Sequence, residues 1–147
     1  MGEARQVKSG RIFMGRVSHG GDLLGEITDV CTREMIHLGR VEAIGAVTRA
    51  CLGVYHQQAR EYRQSMINEP LEIVSFSGNV STKEGQPFVH AHVLFSDIKG
   101  TTYGGHLVPG TTVFACEFIV ETFEGPELSR EYDEETGLHL WNMEEGS

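Results

Sequence analysis

The chain has 147 residues, of which 39% are hydrophobic and 18 are glycine, and it carries a formal net charge of −9 from 21 acidic and 12 basic side chains. That length suits a single domain, residues 1–147 with a core over about 11–140, large enough to bury an apolar interior without a disulfide framework. The apolar content argues against disorder, and the acidic balance argues against unaided binding to a phosphate backbone. Cys31, Cys51 and Cys116 are odd in number, widely spaced and form no CxxC pair, which suits reduced core thiols. No apolar run approaches the roughly 18 residues of a bilayer span. The opening MGEARQVKSGR lacks the apolar stretch of a signal peptide, so a cytoplasmic protein with no membrane partner is expected.

In chain order, residues 11–18 read as a first strand with Ile12 and Met14 inward. After the HGGD turn, Asp22 is an N-cap for a helix to about Leu38, with Leu23, Leu24, Ile27, Val30, Cys31, Met35 and Leu38 on one stripe and Gly39 as the stop. Residues 41–47 form a short strand, and 48–59 a second after or through a bend near Thr48, ending in a solvated His56. Residues 60–70 read as a polar connection, 71–78 as a strand covered on at least one face, and 77–87 as a turn-rich loop. Residues 111–124 give the strongest strand signal, with Phe114, Cys116, Phe118 and Val120 on the core side and Val113, Ala115, Glu117 and Ile119 on the other. The acidic tail holds Leu138, Leu140 and Trp141 as anchors, with His139 outward. The expected fold class is α+β: a mostly antiparallel β-sheet of about seven strands packed with one main helix. No GxGxxG or GxxxxGK[ST] loop is present, so a familiar phosphate cradle is unsupported.

The chemistry concentrates in residues 88–110, FVHAHVLFSDIKGTTYGGHLVPG. His90 and His92 are two apart in an alternating segment, so a strand turns both imidazoles to one face. If Ile98–Lys99–Gly100 is a three-residue hairpin loop with Gly100 left-handed, Asp97 pairs with Thr101 and His92 falls opposite His106. Gly104 and Gly105 permit either a close backbone approach or a bulge that shifts this register by one. Three imidazoles on one face suit a divalent transition metal, zinc above all, with a fourth position left open. The bland alternative is three half-buried strand histidines bonded to carbonyls. A general acid or base would still be needed, and Glu117, Glu72 and Glu42 are the candidates.

LEIVSFSGN at 71–79, VEAIGAVTRACLG at 41–53 and the block HAHVLFSDIKGTTYGGHLVPGTTVFACEFIV at 90–120 together resemble the PPC domain, also called DUF296, over nearly the whole chain. The resemblance implies an antiparallel-sheet domain that assembles as a homotrimer and, in single-domain prokaryotic members, a metal site whose ligands fall on His90, His92 and His106. It also implies a fold similar to acetolactate decarboxylase, whose zinc is held by three histidines. Plant members carry a partner-binding segment resembling GRFEILSLSG, and here Glu72, Ile73, Ser75, Ser77 and Gly78 match it while Glu69–Pro70–Leu71 stands at its start.

Two functions follow. One is a metal-binding trimer with an open three-histidine site suited to lyase or hydrolase chemistry on a small molecule. The other is a DNA-associated or regulatory protein-interaction module without catalysis. Direct contact with nucleic acid is disfavoured because no RGRP-type hook is present and Arg5, Lys8, Arg11 and Arg16 make only a modest basic arm. A scaffolding trimer with incidental histidines is a third possibility, set apart by binding no metal.

Overall fold

The structure, a computed structural model, describes residues 1–144. In chain order the elements are β1 (Lys8–Val17), α1 (Leu23–Arg33), β2 (Gly39–His56), β3 (Glu61–Ile67), β4 (Leu71–Lys83), β5 (Gln86–Ser96), β6 (Thr102–Leu107), β7 (Thr112–Glu124), β8 (Arg130–Tyr132) and β9 (His139–Trp141). Seven strands form one sheet in the order β1-β7-β2-β4-β5-β6, with β3 beside β2, and β8 and β9 make a separate ribbon. The α+β expectation with a mostly antiparallel seven-stranded sheet and one helix is met. Strand β2 links two parts of the sheet: its first half lies between β7 and β4, and its second half pairs with β3 and reaches β6 at Leu52↔Leu107 and Gly53↔His106. The run β2-β4-β5-β6 therefore closes on itself, with one core inside.

The helix covers that core. Asp22 caps it as expected, its Oδ2 accepting from Gly25 N–H at 2.8 Å. Its Oδ1 accepts from Gly110 N–H at 2.7 Å, so one carboxylate ties the helix start to the β6–β7 turn. Leu23, Ile27 and Cys31 are fully buried and join Phe95, Leu107, Val113 and Val120 in the core cluster. Asp22→Ala removes the cap and leaves the Gly110 N–H unmatched, and should cost about 2 kcal/mol. A lower urea midpoint at unchanged slope is the expected readout.

Several expected boundaries move, each for a local reason. The helix ends at Arg33, not near Leu38. Met35 takes the left-handed turn at φ 53°, its N–H donates to Thr32 O at 3.3 Å, and Ile36 N–H donates to Cys31 O at 2.8 Å. That double closure ends the helix and sends Ile36 and Leu38 inward at the approach to β2, where both are buried. Gly39 starts β2 instead of capping α1: a Cβ there would stand 2.5 Å from the Glu121 carbonyl oxygen. Residues 39–56 are one continuous strand. Residues 61–67, read as a connection, pair with β2 from Ala50↔Ile67 to His56↔Glu61. The stretch read as a loop before residue 87 is the continuation of β4 and β5, joined by Glu84 (φ 52°) and Gly85 (φ 76°), the two left-handed positions of a tight hairpin turn.

The inward faces also differ in two places. Ile12 and Met14 point out, at 59% and 81% exposure, while Phe13 packs against the core. In β7, Val113 and Cys116 are both buried and Phe114 is exposed, because Ala46 pairs with Ala115 and Val47 with Val113, leaving Phe114 as an extra residue. A bulge of this kind flips the alternation; beyond it Phe118 and Val120 face the core as expected.

Candidate metal centre

In β5 the buried residues Val89, Ala91, Val93 and Phe95 alternate with His90, His92 and Leu94. The apolar set fills the barrel, and both histidines are thereby held on its outside. The β5–β6 turn has the expected form. Asp97 N–H donates to Thr101 O and Gly100 N–H to Asp97 O, both at 3.0 Å, with Gly100 at φ 83°. The Asp97 carboxylate accepts from the Lys99 and Thr101 N–H groups at 2.9 Å. The register then runs unbroken from Ser96↔Thr102 to His92↔His106. Gly104 and Gly105 introduce no bulge there. Gly105 serves close approach instead, since a Cβ would lie 2.9 Å from the Gly53 carbonyl oxygen where β6 meets β2.

His90, His92 and His106 come together. One ring nitrogen from each lies within 4.8 Å of the others, and the ring centres are 5.1 Å (His90 to His92), 5.0 Å (His90 to His106) and 5.8 Å (His92 to His106) apart. Three donors so spaced could hold a metal ion. The metal-capable cluster among the described residues contains no carboxylate. His106 Nδ1 is buried with no hydrogen-bond partner, a costly condition for an imidazole nitrogen that a bound cation would relieve. The donor set therefore fits a metal.

The electrostatics favour the neutral, ligating form of His90 and His106. His90 is pushed down to about 4, first by burial, then by the Arg130 charge, then by His106 and His92. His106 is lowered by burial, by His92 and by Arg130. In the metal-free protein these shifts set a pH dependence. The unfolded chain takes up a proton at position 90 near the ordinary histidine value and the folded chain only near 4, so stability is lost as pH falls through that window. The expected loss is on the order of 1–2 kcal/mol after allowance for the solvent still reaching the ring. Urea midpoints of metal-free protein between pH 7 and 4, compared with His90→Gln, measure it.

Two further groups wall the site, neither singled out from sequence. Tyr62 on β3 stacks 5.0 Å from His106 and 5.1 Å from Tyr55. Arg130 on β8 places Nη2 3.4 Å from His90 Nδ1. Tyr62 is hidden in the sequence because the polar run that carries it reads as a connection. Arg130 had a signal: from Glu121 to Glu145 it is the only arginine or lysine in an acidic stretch. His139 is exposed as expected, and its carbonyl accepts from Arg130. The three candidate carboxylates lie elsewhere. Glu42 and Glu117 are exposed in a trough of about 760 Å³ with Met14, Ile44, Val74 and Ile119. Glu72 is exposed beside Pro70, Ile98 and Phe114 in a second trough of about 520 Å³.

An antiparallel barrel under one helix with a three-histidine cluster on its outer wall defines a class of small sheet domain. Residues 4–124 match the family model of the Plants and Prokaryotes Conserved (PCC) domain, and the chain belongs to that family. The metal-containing protein AF0104 of Archaeoglobus fulgidus is 42% identical, with a TM-score of 0.91 over 95% of this chain and 99% of that one. A plant- and prokaryote-conserved (PPC) protein of Pyrococcus horikoshii is 32% identical, with a TM-score of 0.91 over 97% of this chain and 99% of that one. The chain is also 32% identical over 136 residues to a bifunctional protein GlmU of a Synechococcus strain, covering 88% of this chain but only 20% of that much longer relative.

Proposed function

We propose that this protein is a trimeric zinc-binding member of its family whose three-histidine centre acts on a small molecule by lyase or hydrolase chemistry. The convergence of His90, His92 and His106, together with a buried and unpartnered nitrogen on the His106 ring, carries the reading, and the 42% identical metal-containing protein supports it. Zinc suits three neutral imidazoles with a position left for another ligand. So held, it would supply Lewis acidity toward a carbonyl or a water. The chain's own contribution is to hold the three rings oriented on two paired strands, to keep His90 and His106 neutral, and to narrow the approach with Tyr62 and Arg130. A carboxylate for proton transfer would have to arrive from an adjoining copy, since Glu42, Glu72 and Glu117 all open onto troughs of the outer face.

The trimer rests on the family resemblance and on that outer face. Ile12, Met14, Ile44, Val74 and Phe114 are all more than half exposed, a larger apolar surface than scattered single residues make. Charges of both signs border it: Arg16 pairs in register with Glu117, and Arg40 Nε lies 2.8 Å from Glu121 Oε1. A surface carrying both signs can be complementary to another copy of itself. Sedimentation and metal analysis on one purified sample test the proposal together. A trimer with one zinc per chain is expected; a metal-free protein that takes up no zinc on dialysis overturns the function.

A further inference from the structure

Arg130 is held more firmly than a surface arginine needs to be. Its Nε donates to Ser81 Oγ at 2.9 Å, Nη1 to the His139 carbonyl at 3.1 Å, and Nη2 to Asn79 Oδ1 at 2.9 Å. The guanidinium carbon lies 5.2 Å from the Phe88 ring centre and 5.7 Å from that of Trp141. Every one of these partners is neutral. In a chain of net charge −9, no carboxylate among the described residues pairs with this half-buried cation. Burial lowers its pKa, with only the Tyr62 phenol pulling the other way. Three other strands, β4, β5 and β9, thus fix an uncompensated positive charge in one orientation, and the remaining Nη2 contact is to His90.

The position is unfavourable for a metal alone. A divalent cation among three neutral imidazoles beside a guanidinium gives a pocket of charge +3 with no protein anion in the cluster. That excess should be balanced by a ligand. Ser81, the His139 carbonyl and Asn79 each take one guanidinium N–H, and the other N–H of Nη2 stands at the edge of the metal-capable cluster, placed for a charge-assisted hydrogen bond to a carboxylate. Resting on the metal reading above, we infer that Arg130 is the anion-recognition residue of this site, binding the carboxylate of a small organic acid whose neighbouring oxygen is directed to the metal. The substrate class is then a 2-hydroxy or 2-oxo carboxylate, in which the two oxygen groups sit on adjacent carbons. Arg130 would orient such a ligand without taking part in bond making.

Calorimetric titration of lactate and of acetate into the zinc-loaded full chain tests this, with zinc content measured on the same samples. Wild type should bind lactate more tightly than acetate. Arg130→Gln should lose about tenfold or more in lactate affinity while keeping full zinc content. Its zinc affinity in carboxylate-free buffer should rise, because a repelling charge is gone. Arg130→Lys, which keeps the charge but not the planar guanidinium, should recover part of the lactate affinity and none of the gain in zinc affinity, and it guards against a glutamine variant that loosens the β8–β9 ribbon. Lactate affinity unchanged in Arg130→Gln overturns the inference and leaves the metal site standing, as does zinc-loaded wild type that binds neither acid. Failure of wild type to load zinc removes the reading beneath it.

Discussion

His92→Ala is expected to abolish stoichiometric metal binding while leaving the fold intact. Both halves follow from where the residue sits. His92 is exposed on the outer side of β5, between Ala91 and Val93, whose side chains are at the core. Shortening it therefore opens no cavity. Alanine costs only the modest strand propensity of one exposed position, and the melting temperature of metal-free protein should barely move. The loss of function is larger. A set of three imidazoles reduced to two, with no carboxylate in the cluster to substitute, should weaken metal affinity on the order of 100-fold or more. Elemental analysis after gel filtration reads this directly, and a second readout is thermal: added zinc should raise the melting point of wild type and not of the variant. Undiminished metal in His92→Ala would mean that the ion is held elsewhere. His106→Ala is the less clean version of this experiment, because its ring also stacks on Tyr62.

The histidine hairpin was legible in sequence because two independent local rules agreed on it. Strict alternation placed His90 and His92 together, and the glycine turn set the register that brings His106 across. Asp97 then fixed that turn through its own side chain. The regions that misled were those where the two faces of a strand are alike. In RIFMGRV both Phe13 and its neighbours Ile12 and Met14 are apolar, so a period-2 pattern cannot say which set faces the core; Phe13 does. The exposed set then joins an apolar outer face. In β7 a single extra residue at Phe114 reversed the sides, and nothing in TTVFACEF marks where the bulge falls. Strand β3 was missed for the opposite reason. Six of its seven residues are exposed, so it carries almost no burial pattern and exists because β2 offers it a partner. Tyr62, which it carries to the site, was lost with it. Arg130 reaches His90 across 40 positions of sequence, through a ribbon whose docking depends on that same arginine, and no local pattern encodes such a contact.

Ile44→Asp should turn the proposed trimer into monomers and, in doing so, show whether one subunit suffices for the proposed metal site. Ile44 is 65% exposed on β2 and opens onto the outer trough between Glu42 and Glu117. In an isolated chain an aspartate there stays solvated, so the fold should survive with a stability change of about 0.5 kcal/mol or less. In a trimer joined through this face, three added carboxylates would be desolvated beside Glu42 and Glu117, with Arg16 already set against Glu117 in register. Burying an unpaired charge costs several kcal/mol, and threefold repetition multiplies it, so association at micromolar concentration should be lost. Sedimentation velocity provides the test, with Met14→Leu as the conservative control that should remain trimeric. A trimeric Ile44→Asp would move the interface off this face. Metal content of the monomer then carries the second result. The three clustered histidines come from β5 and β6 of one chain, so retained zinc in the monomer would place the binding site within a subunit. Loss of any turnover found in wild type alongside retained zinc would assign the missing acid or base to the neighbour, where Glu42 and Glu117 of the outer face are the carboxylates at hand.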